Sequence, residues 1–215
     1  MYQFKKKIVL ITGGSRGIGK AIAESFALHG AHVVITYKKE KDKAEELIAS
    51  LPGKKHICIQ SDVTIDGEAK AVITKVICKF GALDIVINNA GMYINHPIAK
   101  IAFKEWQAAW STTLETNLIG PANICYYAAK YMMSVKRGKI INISSRGANR
   151  GEPNAPAYGA SKAGINAMSQ SLAIALAPHN VFVGVVAPGF VETDMAASSL
   201  KGKQGQAIKN QSPMQ

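Results

Sequence analysis

Lys7-Ile8-Val9-Leu10-Ile11-Thr12, running straight into Gly13-Gly14-Ser15-Arg16-Gly17-Ile18-Gly19, decides the fold of this 215-residue chain. The first six residues form an unbroken run, largely apolar and β-branched, as expected of a strand buried on both faces. Glycines at 13, 17 and 19 then turn the chain into a helix predicted over 18–29, with apolar residues at 18, 22 and 26 and Gly30 as its stop. A strand, a glycine-rich turn and a helix N-terminus form a phosphate cradle. Glycine admits positive φ and lets a pyrophosphate approach the backbone, and the helix end presents free N–H groups and partial positive charge. The G-x3-G-x-G spacing differs from the usual G-x-G-x-x-G fingerprint but meets the same physical need.

Outward from this point, strands and helices alternate. Strands are predicted over 32–36, 56–60, 83–88, 139–143 and 181–187. Helices are predicted over 41–50, 67–80, 104–133 (broken near Thr112-Thr113) and 155–176. Short apolar strands separated by helices pair in parallel through right-handed crossovers. The expectation is an α/β doubly wound Rossmann sheet in the order 3-2-1-4-5-6, with residues 1–215 forming one dinucleotide-binding catalytic domain.

Composition narrows the function classes. The chain is 47% hydrophobic, which excludes a disordered polymer. No apolar run is long enough to span a membrane, and the apolar stretch near the N-terminus is too short for the core of a signal peptide. Cys58, Cys78 and Cys125 are scattered and odd in number, and read as buried free thiols of a reducing, cytoplasmic compartment. The net charge of +12 comes from residues mixed with acids, without a basic helix, a Cys/His finger or an aromatic RNA-binding signature, so nucleic acid is not the expected partner. The five histidines have no metal-ligand spacing, and no metal is expected. Trp106 and Trp110, at i and i+4, read as a packing stripe.

The end of the second strand indicates which dinucleotide fits. A site for unphosphorylated ribose places an acid there, but Ile35-Thr36-Tyr37-Lys38-Lys39 has none before Glu40. Arg16 in the loop and Lys38 after the strand suit a 2′-phosphate, so NADP(H) is favoured over NAD(H).

With these residues in view, the chain resembles the short-chain dehydrogenase/reductase superfamily from Thr12 to about Met195. Thr12 to Gly19, including Ser15 and Ile18, looks like its cofactor loop. Asp62-Val63 looks like its adenine contact, and Asn88-Asn89-Ala90-Gly91 like its turn after strand four. Asn117 matches its relay asparagine. Ser145 in Ile143-Ser144-Ser145 and Tyr158-Gly159-Ala160-Ser161-Lys162 match its serine and Tyr-x3-Lys. Pro188-Gly189-Phe190-Val191-Glu192-Thr193 matches its loop over the nicotinamide. The 3-oxoacyl-acyl-carrier-protein reductase-like enzymes are the most similar subgroup.

The resemblance implies reduction of a carbonyl, with Tyr158 as acid, Ser145 on the substrate oxygen, Lys162 on the nicotinamide ribose and Asn117 holding a water that resupplies the proton. An unperturbed phenol has a pKa of about 10, and an ammonium one helical turn away is expected to lower it. Ser144 is the lesser candidate for the serine. Lys136 and Arg137 stand where these reductases carry a docking patch for acidic acyl carrier protein, but Pro178-His179-Asn180 replaces the second basic position. Docking of that partner is left open. The polar loop from Arg146 to Pro153 suits a charged or sugar-like substrate equally well. A secondary-alcohol or sugar dehydrogenase, and a binder without turnover, are the alternative readings. The resemblance implies a continuation past a segment like Gln211-Ser212-Pro213-Met214 into a seventh strand; the expectation is that its absence here marks a truncation or leaves an apolar edge for another chain to cover, with the homo-oligomer open.

Overall fold

The computed structural model describes residues 3–65, 67–193 and 205–206. Six parallel strands, β1 (Ile8–Ile11), β2 (His32–Tyr37), β3 (Ile57–Gln60), β4 (Ile85–Asn88), β5 (Gly138–Ile143) and β6 (Val181–Val186), form one sheet in the order β3-β2-β1-β4-β5-β6. The doubly wound expectation holds. The expected continuation past Gln211-Ser212-Pro213-Met214, like Met195, lies outside the described residues.

Helices cover both faces, and the side-chain period of two assigns each strand residue to one of them. Leu10, Val34, Val86 and Ile140 pack with Val72 and Val76 of α3 (Glu68–Phe80) and with Ile124 and Met132 of α5 (Gly120–Ser134). Val9, Ile11, Val33 and Ile35 pack on the other face with Ala23 and Ala27 of α1 (Gly17–Leu28) and Leu47 of α2 (Lys41–Ser50). Each fully buried valine or isoleucine contributes about 1.5–3 kcal/mol, so β1, β2 and β4 form the most stable part of the sheet.

A row of polar groups crosses this apolar interior. Asn88 and Asn142 are register partners on β4 and β5, and Asn88 Nδ2 donates to Asn142 Oδ1 at 2.8 Å. Asn142 Nδ2 donates onward to Ser169 Oγ at 2.8 Å. A one-residue slip would separate these buried groups, so the row fixes the pairing of the two strands. Cys125 lies beside it, with its thiol pushed up to about 12 by burial. The other cysteines depart from expectation: Cys58 is only half-buried and Cys78 is exposed.

The 104–133 stretch also differs from its sequence reading. No break occurs at Thr112-Thr113; instead α4 (Phe103–Leu114) passes into α5 through one wide π turn, Glu115–Ile119. Thr113 is fully buried within the helix, so the β-branched pair is held by packing.

Because β1 is flanked by β2 and β4, successive crossovers leave it in opposite directions, opening a crevice at the C-terminal ends of the strands. The turn after β1, the segment after β4 and α6 (Pro156–Leu176) all border that crevice.

Candidate active site

The glycine turn is interlocked with the segment after β4. Gly13 has φ +62°, and a Cβ there would lie 2.9 Å from Ala90 Cα. Thr12 is buried, and its hydroxyl accepts from the backbone N–H groups of Asn89 (3.1 Å) and Ala90 (3.0 Å). Asn89 Nδ2 donates to the carbonyls of Thr12 (3.0 Å) and Gly13 (2.9 Å), so its amide braces the turn. Thr36 at the end of β2 accepts from Gly13 N–H at 3.2 Å. At the start of α1, Arg16 makes no side-chain cap and the first turn has no acid, so the helix end keeps its N–H donors and positive potential for an anion. Gly17 has φ +54°, and a Cβ there would lie 3.3 Å from Thr193 Cγ2, so the end of the 188–193 loop stands close to the turn. This cradle of small residues and free donors fits a dinucleotide pyrophosphate.

Helix α6 brings its side chains in from the far wall. Tyr158 and Lys162 share one face, and the phenol is hydrogen-bonded to the Ser145 hydroxyl, which also accepts from Gly147 N–H at 3.1 Å. Lys162 Nζ is buried, donates to the Ile143 carbonyl at 2.8 Å and lies 5.8 Å from the centre of the Tyr158 ring. The neighbouring Ser144 turns inward and donates to the Lys162 carbonyl at 3.1 Å, away from Tyr158. Asn117, fully buried in the π turn, accepts from Met92 N–H at 2.8 Å and donates to the Met92 carbonyl (3.0 Å) and to Ser161 Oγ (3.2 Å). Both amide hydrogens are thus engaged by protein groups.

Electrostatics revise one expectation. Burial, ahead of the Ser145 bond that acts the other way and of Glu152 that adds to it, holds the Tyr158 phenol above its ordinary range. The expected lowering by Lys162 is not among the influences on the phenol. Burial pulls the Lys162 ammonium from 10.5 down to about 8.

A short chain dehydrogenase family model matches residues 7–204. The chain belongs to the short chain dehydrogenase family. It is 37% identical to 3-oxoacyl-acyl-carrier-protein reductase of Staphylococcus aureus over 191 residues, 88% of this chain and 76% of that protein. To the reductase of the same name from Chlamydia muridarum it is 36% identical over 192 residues, 88% of this chain and 75% of that one. Its structure is similar to that of a dehydrogenase/reductase from Sinorhizobium meliloti, with TM-score 0.87 and 28% identity over 99% of this chain and 82% of the other. Family membership makes this chain an NAD(P)-dependent oxidoreductase acting on CH–OH donors.

The remaining expected residues of this short chain dehydrogenase fall at the rim. Tyr37 is buried at the end of β2. Lys38 is ion-paired with Asp62 after β3, and so ties the two strand ends together. Burial alone would raise the Asp62 carboxyl, but Lys38 and two bonds from Thr64 hold it below the usual range. Val63 is buried against Gly120 of α5. Gly91 lies beside Asn117 and Lys162, and Pro188 accepts from Arg146 N–H at 3.1 Å. Gly189 and Val191 are exposed in the same loop. Arg146 also packs its guanidinium 4.2 Å over Phe190. At the other end of the sheet, Asn180 Nδ2 donates to the Lys136 carbonyl at 3.1 Å, so the two turns of the expected docking patch adjoin. Two residues without an expected role at the site, Thr36 and His96, hold its walls, and Thr12, at the head of the expected cofactor loop, braces it through its hydroxyl. No helix is long and apolar enough to cross a membrane, and no cluster suited to a metal occurs, among the described residues.

Proposed function

We propose that this chain is an NADPH-dependent carbonyl reductase that converts a 3-oxoacyl thioester into the secondary alcohol. The observation that carries the reading is the phenol of Tyr158, bonded to Ser145 and one helical turn from buried Lys162, across the crevice from the glycine cradle. A bound nicotinamide supplies a hydride to the carbonyl carbon. The chain supplies the rest. Ser145 donates to the carbonyl oxygen and fixes its position. Tyr158 transfers its proton to that oxygen as negative charge develops, and the alcohol leaves a phenolate. Lys162, cationic below about pH 8, stabilises that phenolate until solvent returns a proton. Asn117 contributes by clamping Met92 to the turn that contains Ser161.

The preference for the phosphorylated cofactor rests on Arg16 and Lys38 at the ribose end and the lack of an acid after β2. Gly13, Ser15, Gly17, Ile18, Gly19, Tyr37, Asp62, Val63, Asn89, Ala90 and Gly91 form the rest of the proposed dinucleotide site, with Pro188, Gly189, Val191 and Thr193 over the nicotinamide. Acyl carrier protein is the proposed donor of the thioester, docking on Lys136 and Arg137. The assay mixes the protein with NADPH or NADH and acetoacetyl thioester, presented on coenzyme A or on acyl carrier protein, and follows nicotinamide absorbance. Oxidation at least about tenfold faster with NADPH, lost in Tyr158→Phe, is expected. NADP+-dependent oxidation of secondary or sugar alcohols without thioester reduction would favour the dehydrogenase alternative. Dinucleotide binding with no turnover on any carbonyl would overturn the enzyme reading.

A further inference from the structure

His96 is fully buried, belongs to no motif named above, and makes hydrogen bonds that converge on the start of α6. That start is poorly capped by local sequence. Pro156 has no N–H, Ala155 offers no side-chain bond, and Ala157 is completely buried. The Ala157 N–H donates instead to His96 Nε2 at 3.2 Å, from a residue 61 positions earlier. The other ring nitrogen, Nδ1, lies 2.8 Å from the Ile94 carbonyl, which can only accept. Together the two bonds fix one tautomer, with the proton on Nδ1 and the lone pair of Nε2 facing the helix.

The contact belongs to a larger staple. His96 N–H donates to the Asn154 carbonyl at 2.7 Å, so one residue grips the chain on both sides of Ala155 and Pro156. Trp106 of α4 packs its ring edge-on at 5.3 Å from the imidazole. Tyr93, in the same segment, packs edge-on against Tyr158 at 5.1 Å. Asn117 holds the segment at Met92 and reaches Ser161, whose hydroxyl donates to the Tyr158 carbonyl at 2.7 Å. Tyr158 directly follows the capped residue, so a shift of the first turn moves the phenol.

We propose that His96 is a positioning residue, capping α6 across the fold so that the Tyr158 phenol is held where the carbonyl oxygen must sit. The proposal rests on the reading of Tyr158 as proton donor. It is tested with two variants of equal polarity and different reach. In His96→Gln the amide oxygen extends to the place of Nε2 and keeps the Ala157 bond. In His96→Asn the amide reaches only the Ile94 side and leaves Ala157 N–H without an acceptor. The expectation is that His96→Asn loses about tenfold or more in kcat for carbonyl reduction, while the dissociation constant for NADPH changes less than about twofold and His96→Gln recovers most of the loss. Equal kcat in the two variants overturns the proposal. Long-range proton–nitrogen NMR on the unmodified protein gives a readout independent of turnover and of whether any variant folds: an Nδ1-protonated ring and a slowly exchanging Ala157 amide support the cap, and an Nε2-protonated ring refutes it. Undiminished turnover in Tyr158→Phe would remove the proton-donor reading alone. The Tyr158 ring signals in His96→Asn, displaced or unchanged relative to His96→Gln, would then decide the positional claim without catalysis.

Discussion

Lys162 shows how one buried residue couples chemistry to stability. Its ammonium donates to a single carbonyl, and desolvation by burial lowers its pKa from 10.5 to about 8. Between those values the unfolded chain binds more protons than the folded one, so this group makes stability rise with pH across that window. Below about pH 8 both states are protonated and the cost of burying the charge is undiminished. Lys162→Met is therefore expected to unfold at higher denaturant than the parent near neutral pH, by ~1–3 kcal/mol after loss of the Ile143 bond, with the gap narrowing by about pH 9.5. Urea titrations at both pH values check this, and a constant gap would contradict the desolvation account. The same variant loses the cation beside the phenol and is expected to reduce turnover by about two to four orders of magnitude, as is Tyr158→Phe, with NADPH binding by Tyr158→Phe retained in a fluorescence titration. Tyr158 and Lys162 were legible in sequence through the family resemblance, since their motif stands in register with the others, and a spacing of four on a helix accounts for their sharing one face. The role of His96 was not, nor was the bracing made by the Thr12 hydroxyl. Their partners lie 61, 77 and 78 positions away, and only tertiary packing brings them into contact.

Among the elements, the strands were the most legible, since a run such as Ile8-Val9-Leu10-Ile11 has few ways to hide both faces other than a central parallel sheet. The long helical stretch was not, because its irregularity arises where another chain segment approaches. A Cβ on Gly120, at the end of the π turn, would come within 2.8 Å of the Val63 carbonyl. The helix can pass the loop after β3 only without a side chain at that position, and the wide turn just before it carries Asn117 against Met92. Gly120→Ala gains about 1 kcal/mol in helix propensity but forces Val63 backbone to move, an overpacking cost of about 1–3 kcal/mol that is expected to win. A lowered urea midpoint, together with weaker dinucleotide binding through the displaced Asp62-Val63 segment, is the expected result. A raised midpoint would mean that the loop yields freely and that the glycine is not required for packing.

At the scale of the whole molecule, the sheet has two unlike edges. On one side β3 is short and followed by the Lys38–Asp62 pair. On the other, β6 has a strand neighbour only on its β5 side among the described residues, and Phe182, Val185 and Val186 are exposed along it. An apolar edge with unpaired backbone groups is a template for association with further chains, and the surplus of positive charge opposes this only over distances that salt screens. The order 3-2-1-4-5-6 followed from the alternation of elements, whereas the exposure of particular β6 side chains depends on what packs against them, which no local pattern encodes. Phe182, 57% exposed, is the register partner of Lys139, whose ammonium lies 5.9 Å from the ring centre. A carboxylate at this place exchanges exposed apolar surface for a cross-strand ion pair at the end of the strand remote from Tyr158. Phe182→Glu is thus expected to reduce concentration-dependent association, read by sedimentation velocity over the micromolar range at moderate salt, while NADPH affinity stays within about twofold. If the variant sediments like the parent at every concentration, association does not run through this edge. If it unfolds instead, Phe182 is part of the packing around Gly184, where its ring already stands within 2.8 Å of a would-be Cβ, rather than a surface residue.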